Sequence, residues 1–201
     1  MRRGVSKFLT LLVAAIGVSQ LGLECGGGGV GDPCIPEDEY RTNFQGFGET
    51  EVNVESRSFQ CETRVCLVAN FRGRVSCPYG QDQTTLPDQY CRIPGSRDQI
   101  LDAMGAPVPV APQLVERRPD DAVYCSCRCD GEDENARYCE CPSGFECREL
   151  IQDLGLGSEQ LAGSYCIREG TFVPNPQILN GGLTCTTDGQ PNCGRVHPAS
   201  Q

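Results

Sequence analysis

The rhythm of apolar and polar positions changes several times along the chain. Residues 8–18 form a nearly unbroken apolar run, with Arg2, Arg3 and Lys7 ahead of it. This run is too short to cross a bilayer as a helix, which needs about 20 residues. Its basic-then-apolar layout is that of a secretory signal. Residues 1–24 are therefore expected to direct export and to be removed. Farther on, Glu51-Val52-Asn53-Val54-Glu55 alternates, Val65-Cys66-Leu67-Val68 is a short apolar run, and residues 71–75 follow a turn near Asn70. Period-two patterning of this kind predicts a small antiparallel sheet carrying Cys61, Cys66 and Cys77.

Two later stretches carry helical signals. Ser96 with Gln99 fits a capping box, Ile100, Leu101 and Met104 follow, and Gly105 can stop the turn, which predicts a helix over 97–104. Ser143 and Glu146 fit a second capping box, and Cys147, Leu150, Ile151 and Leu154 recur at helical spacing before Gly155. A second helix is expected there, with Cys147 on its buried face. Residues 164–167 and 171–173 suit short strands. The expected fold is thus a small disulfide-rich α+β body, with short antiparallel strands, two short helices and much irregular structure.

Composition explains why such a body needs help. Beyond residue 24, Leu, Ile, Val and Phe make up roughly a fifth of the chain, close to the level at which acidic chains fail to bury enough apolar surface to fold. Cysteine supplies the remedy: the chain has 15 in 201 residues, and an exported protein keeps them oxidised. The odd total calls for a free thiol, an intermolecular bridge, or one cysteine spent on other chemistry. Cys25 stands where it can be spent. Just past the apolar run, Leu21-Gly22-Leu23-Glu24-Cys25, followed by glycines 26–29, resembles the junction of bacterial lipoproteins, whose cysteine is acylated and becomes the new N-terminus. Ordinary cleavage near Ser19 is the alternative, and it would leave Cys25 as a thiol.

With Cys25 lipidated, Cys34, Cys61, Cys66, Cys77, Cys91, Cys125, Cys127, Cys129, Cys139, Cys141, Cys147, Cys166, Cys185 and Cys193 remain for disulfides. They fall into groups of five and nine, separated by the cysteine-free stretch 92–124. Both counts are odd, so complete pairing requires at least one bridge between the groups. The expected organisation is a glycine-rich flexible tether at 25–33, an N-terminal half at 34–105, a proline-rich linker or strap at 106–124 and a C-terminal half at 125–201.

Little in the chain invites catalysis. There is one histidine, His197 in the tail, and no tryptophan, so a histidine-dependent nucleophile or an aromatic-lined cleft is not expected. The formal charge of −10 argues against nucleic acid or an anionic membrane as an electrostatic partner, because either would need clustered Lys and Arg. Asp130, Glu132, Asp133 and Glu134 invite calcium, with Asp120 or Asp121 to complete the site. However, Asn135 and Cys141 occupy positions where a calcium loop needs Gly and Glu. The closely spaced Cys125, Cys127, Cys129, Cys139 and Cys141 could serve as metal thiolates in a reducing compartment, but export points to disulfides instead. No cofactor and no metal site are expected.

The glycine-rich start and the phrases Gly31-Asp32-Pro33-Cys34, Cys125-Ser126-Cys127-Arg128-Cys129 and Leu161-Ala162-Gly163-Ser164-Tyr165-Cys166 together resemble cysteine-rich envelope lipoproteins of the myxobacterial type. That resemblance implies an outer-membrane or surface location, with Gly26 after the lipid-bearing cysteine suiting outer-membrane sorting. It also implies a non-enzymatic role as a structural, adhesive or protein-binding component, with the membrane and an envelope protein as partners. The alternative class is a secreted or periplasmic inhibitor-like or ligand-binding module.

Overall fold

The computed structural model describes residues 27–82, 90–153, 160–179, 181–186 and 193. Its first sheet is antiparallel, in the order β1-β2-β3, with β1 at Val52–Glu55, β2 at Val65–Ala69 and β3 at Val123–Ser126. The first two strands are the ones that the alternating and apolar segments predict. Asn70 makes the expected turn, with a left-handed φ of 54° and its backbone N–H donating to Glu51 O at 2.8 Å. Residues 71–75 form no strand; they make only isolated bridges, Phe47 to Gly73 and Arg74 to Cys77.

The central strand β2 is apolar throughout because both of its faces are covered. Cys66 and Val68 pack with Ile35, Phe47, Phe71, Val75 and Val123 on one side. Leu67 and Ala69 pack with Tyr124, Tyr165 and Ile167 on the other. The last two residues belong to the second sheet, which is built from β4 at Arg128–Asp130, β5 at Phe145–Ile151 and β6 at Gly163–Arg168 in the order β4-β6-β5. The second apolar layer therefore lies between the two sheets. Cys127 alone separates β3 from β4, so the chain crosses from one sheet to the other in a single step. The crossing is secured by Ser126 Oγ donating to Cys166 O at 2.8 Å and by Cys166 N donating to Cys127 O at 3.1 Å.

Neither expected helix forms. Ser96 turns its hydroxyl to Asp98, accepting from Asp98 N at 3.0 Å and bonding Asp98 Oδ2 at 2.8 Å. This local turn competes with helix initiation. Ile100 is fully buried while Met104 is 90% exposed, so the apolar positions share no face. Residues 92–107 instead make antiparallel bridges, Arg92 to Gln99 and Leu101 to Pro107. The described part of the second stretch is β5. Cys147 sits opposite Cys166 in its register and is exposed rather than buried. A register irregularity between Glu149 and Ile151 lets adjacent Leu150 and Ile151 both reach the apolar layer, which imitates helical spacing in the sequence. Leu154 and Gly155 lie outside the described residues. Among the described residues the α-helix is the single turn α1 at Pro119–Ala122, opened by proline at its first position. Short 3₁₀ turns occupy Glu37–Tyr40 and Pro176–Leu179, and residues 171–173 are not a strand.

A third cluster joins Cys77, Cys91, Ile100, Val108 and Val110. At its centre the buried Gln81 side chain donates to Ile100 O at 2.8 Å and Val108 O at 3.0 Å, and accepts from Cys91 N at 2.6 Å. The proline-rich stretch runs through this cluster: Gln81 and Val110 exchange backbone hydrogen bonds, and Val108, Val110, Gln113, Leu114 and Arg117 are all buried. Arg117 closes the end of β2, donating to Ala69 O at 2.7 Å, Asn70 O at 3.2 Å and Thr171 O at 2.7 Å. β3 begins at Val123, so the final residues of the stretch already belong to the first sheet.

Candidate functional site

Fourteen cysteines pair as Cys34–Cys66, Cys61–Cys125, Cys77–Cys91, Cys127–Cys139, Cys129–Cys147, Cys141–Cys166 and Cys185–Cys193. The one bridge between the two cysteine groups is Cys61–Cys125, and it spans 64 residues. It lies beside Cys34–Cys66 in the apolar layer of the first sheet, where the sulfurs of Cys34, Cys61 and Cys125 come within 4.8 Å of one another. At the second sheet the bridges crowd together. Cys166 Sγ is 3.6 Å from Cys127 Sγ and 3.7 Å from Cys139 Sγ. Such spacing would suit metal thiolates, but every one of these sulfurs is bonded to another sulfur and has no thiolate to offer. Cys25 and His197 lie outside the described residues.

The acidic loop contributes to an open cleft of about 610 Å³ at one end of the second sheet, lined by Arg128, Asp130, Glu132, Asp133, Glu149 and Asp153 among others. Asp120 and Asp121 take no part in it. They lie on α1 beside a separate cleft of about 360 Å³, with Arg118, Tyr124 and Arg168. Glu149 and Asp153 stand where the sequence suggested those two aspartates. Two of the loop's carboxylates turn inward to their own backbone: Asp130 Oδ1 accepts from Gly131 N at 2.8 Å and Asp133 Oδ1 from Asn135 N at 2.9 Å. Among the described residues no three carboxylates converge closely enough to share an ion.

The most deeply buried charges, Glu39 and Arg74, carry no signal in the local sequence pattern. Glu39, one of three consecutive acidic residues in the first 3₁₀ turn, is fully buried. It accepts from Val75 N at 2.6 Å, Ser76 N at 3.1 Å and Ser76 Oγ at 2.6 Å. The buried Arg74 guanidinium stands 3.8 Å away through Nε and donates to Glu39 O and Phe44 O. Burial pushes the Glu39 carboxyl above its ordinary value, against the opposing pull of the Ser76 hydroxyl, the Arg74 charge and the two N–H donors. No local pattern separates Glu39 from its neighbours Glu37 and Asp38; only the fold of Val75 and Ser76 over it does. These groups lock the segment around Glu39 and Phe44 against Arg74.

The glycine-rich stretch, expected as a flexible tether, is packed from Gly27 onward. Gly28 donates to Gln60 O at 2.6 Å and accepts from Glu62 N at 3.0 Å, while Gly31 N and Asp32 O bond Cys125 O and Cys125 N, each at 2.8 Å. A Cβ on Gly27 would meet the Cys61 backbone at 2.8 Å, and one on Gly31, whose φ is +95°, would meet the Phe145 ring at 2.6 Å. The glycines here serve close approach rather than mobility. Arg168 completes the seat, stacking on Phe145 and Tyr124 at 5.0 and 5.5 Å and donating to Gly31 O at 3.3 Å. No helix among the described residues is long and apolar enough to cross a membrane. Comparison with protein-family models, curated proteins and solved structures finds no match, so the role of this surface rests on its own residues.

Proposed function

We propose that the chain is an exported lipoprotein, held at the bacterial outer membrane through Cys25, that acts as a non-enzymatic structural, adhesive or protein-binding component of the envelope. The observation that carries this reading is the cysteine pairing. Fourteen cysteines from Cys34 to Cys193 are mutually bonded, which leaves over Cys25, the one placed just behind an export signal. Gly26 behind it suits outer-membrane sorting, as the resemblance to envelope lipoproteins implies. A binding rather than a catalytic role is supported by the way Glu39 and Arg117 spend their hydrogen bonds on backbone groups, leaving them little capacity for chemistry.

A soluble exported ligand-binding module is the competing reading, favoured by the charged Glu24 directly before Cys25. Metabolic acyl labelling with membrane fractionation separates the two. The wild-type protein should carry label and sediment with outer membrane, and Cys25→Ser should release a folded, unlabelled protein. An unlabelled wild-type protein in the soluble fraction would sink the lipoprotein reading.

A further inference from the structure

Phe59 is 83% exposed although it stands between buried Ser58 and a half-buried Gln60 that leads into buried Cys61. Its loop, residues 56–64 between β1 and β2, is rigid. Cys61 is bonded to Cys125, Ser58 N donates to Arg64 O at 3.0 Å and Arg64 N to Cys61 O at 2.9 Å, and the Gln60 side chain holds both backbone groups of Ile35. The Arg64 guanidinium sits 4.4 Å over the Phe59 ring. Arg57 and Arg64 are both exposed, as is the single loop carboxylate, Glu62.

This loop is also the one that grips the N-terminal segment, through the hydrogen bonds of Gln60 and Glu62 to Gly28. Gly28 is three residues past Cys25, at most about 11 Å of fully extended chain. The headgroup zone on each side of a bilayer is roughly 5–8 Å deep. Acyl chains on Cys25 would enter the hydrocarbon, so even a fully extended link would hold Gly28 and the loop that grips it within a few ångströms of the headgroups. We propose that the Phe59 loop is a membrane-seating surface: Phe59 enters the interfacial zone while Arg57 and Arg64 meet lipid phosphates. An aromatic ring flanked by arginines suits that zone, where the ring is half desolvated and the guanidinium groups stay hydrated. This proposal rests on lipidation of Cys25.

The chain has no tryptophan, so Phe59→Trp introduces the only indole, at an exposed position that tolerates it. The lipidated Phe59→Trp protein is reconstituted in zwitterionic phosphatidylcholine vesicles with and without dibrominated lipid, beside Met104→Trp, an equally exposed position in the third cluster's region. In the Phe59→Trp protein, emission should move to shorter wavelength and be quenched by bromine; in Met104→Trp it should stay water-like and unquenched. Acyl-labelled protein whose indole at position 59 remains unquenched, or is quenched no more than that at 104, overturns the seating surface and leaves the lipoprotein reading intact. Protein that takes no acyl label overturns both.

Discussion

Each sheet has three antiparallel strands, yet the two are held by different means. In the first, β2 is buried on both faces by apolar side chains, and its two bridges, Cys34–Cys66 and Cys61–Cys125, lie within that packing. In the second, one face shares the layer between the sheets, while Cys147, Arg148 and Glu149 of β5 are exposed. Three bridges, Cys127–Cys139, Cys129–Cys147 and Cys141–Cys166, crosslink the region around it. A chain with few large apolar residues can complete one two-sided core. Where apolar side chains run out, crosslinks limit the unfolded chain instead of filling an interior.

Reduction should break this arrangement most completely. Seven bridges at about 2–4 kcal/mol each exceed the usual net stability of roughly 5–15 kcal/mol, so near-UV circular dichroism should vanish under excess dithiol. A reduced protein that kept its signal would mean that the apolar layers suffice alone. Next comes Leu67→Ala, at a site with no exposure between the sheets. It should cost about 4 kcal/mol, read from denaturant midpoints, because it opens a cavity in the one layer both sheets share.

Removing the exposed bridge with Cys129→Ala and Cys147→Ala together should cost about 3 kcal/mol, since it frees a loop with a sequence separation of 18 residues. Hydrogen exchange should show the loss as faster exchange in β5 with β2 still protected. Equal acceleration in both strands would mean that the sheets unfold as one unit and the contrast between them has no energetic content. Cys25→Ser, by contrast, should leave stability unchanged.

A further expected effect, on the pH dependence of stability, concerns Glu39. Its carboxyl is raised in the folded state by burial, so the folded protein binds the proton more tightly than the unfolded chain. The contribution is full below the ordinary value of 4.5 and is lost as pH climbs through the raised folded value. Glu39→Gln should remove this decline, flattening the stability profile above 4.5 relative to wild type. Parallel profiles for the two proteins would show that Glu39 titrates normally.

Legibility in the sequence followed the range of the interactions. β1 and β2 could be read because alternation in β1 and a short unbroken apolar run in β2 are local consequences of covering one face or both faces of a strand. The second expected helix failed because Cys147, Leu150 and Ile151 fit helical spacing while the Cys129–Cys147 bridge and pairing with β6 place them in a strand. The packing of Gly27 and Gly31 was hidden for a related reason: glycine in sequence signals freedom or close approach alike, and only the neighbouring Cys61 and Phe145 decide between them. Glu39, Gln81 and Arg117 were hidden as well, since each becomes a hub through backbone groups contributed by other parts of the chain.

By itself, the sequence determined a basic start followed by a short apolar run, a chain too poor in large apolar residues to dispense with crosslinks, and two odd groups of cysteines that demand a bridge between them. These follow from composition, order and parity. Only the tertiary structure decided that Cys61 and Cys125 form that bridge, that β5 is a strand and that the glycine stretch is seated on the Phe59 loop. Each depends on which distant groups meet across a sheet, and that is settled by packing many residues at once.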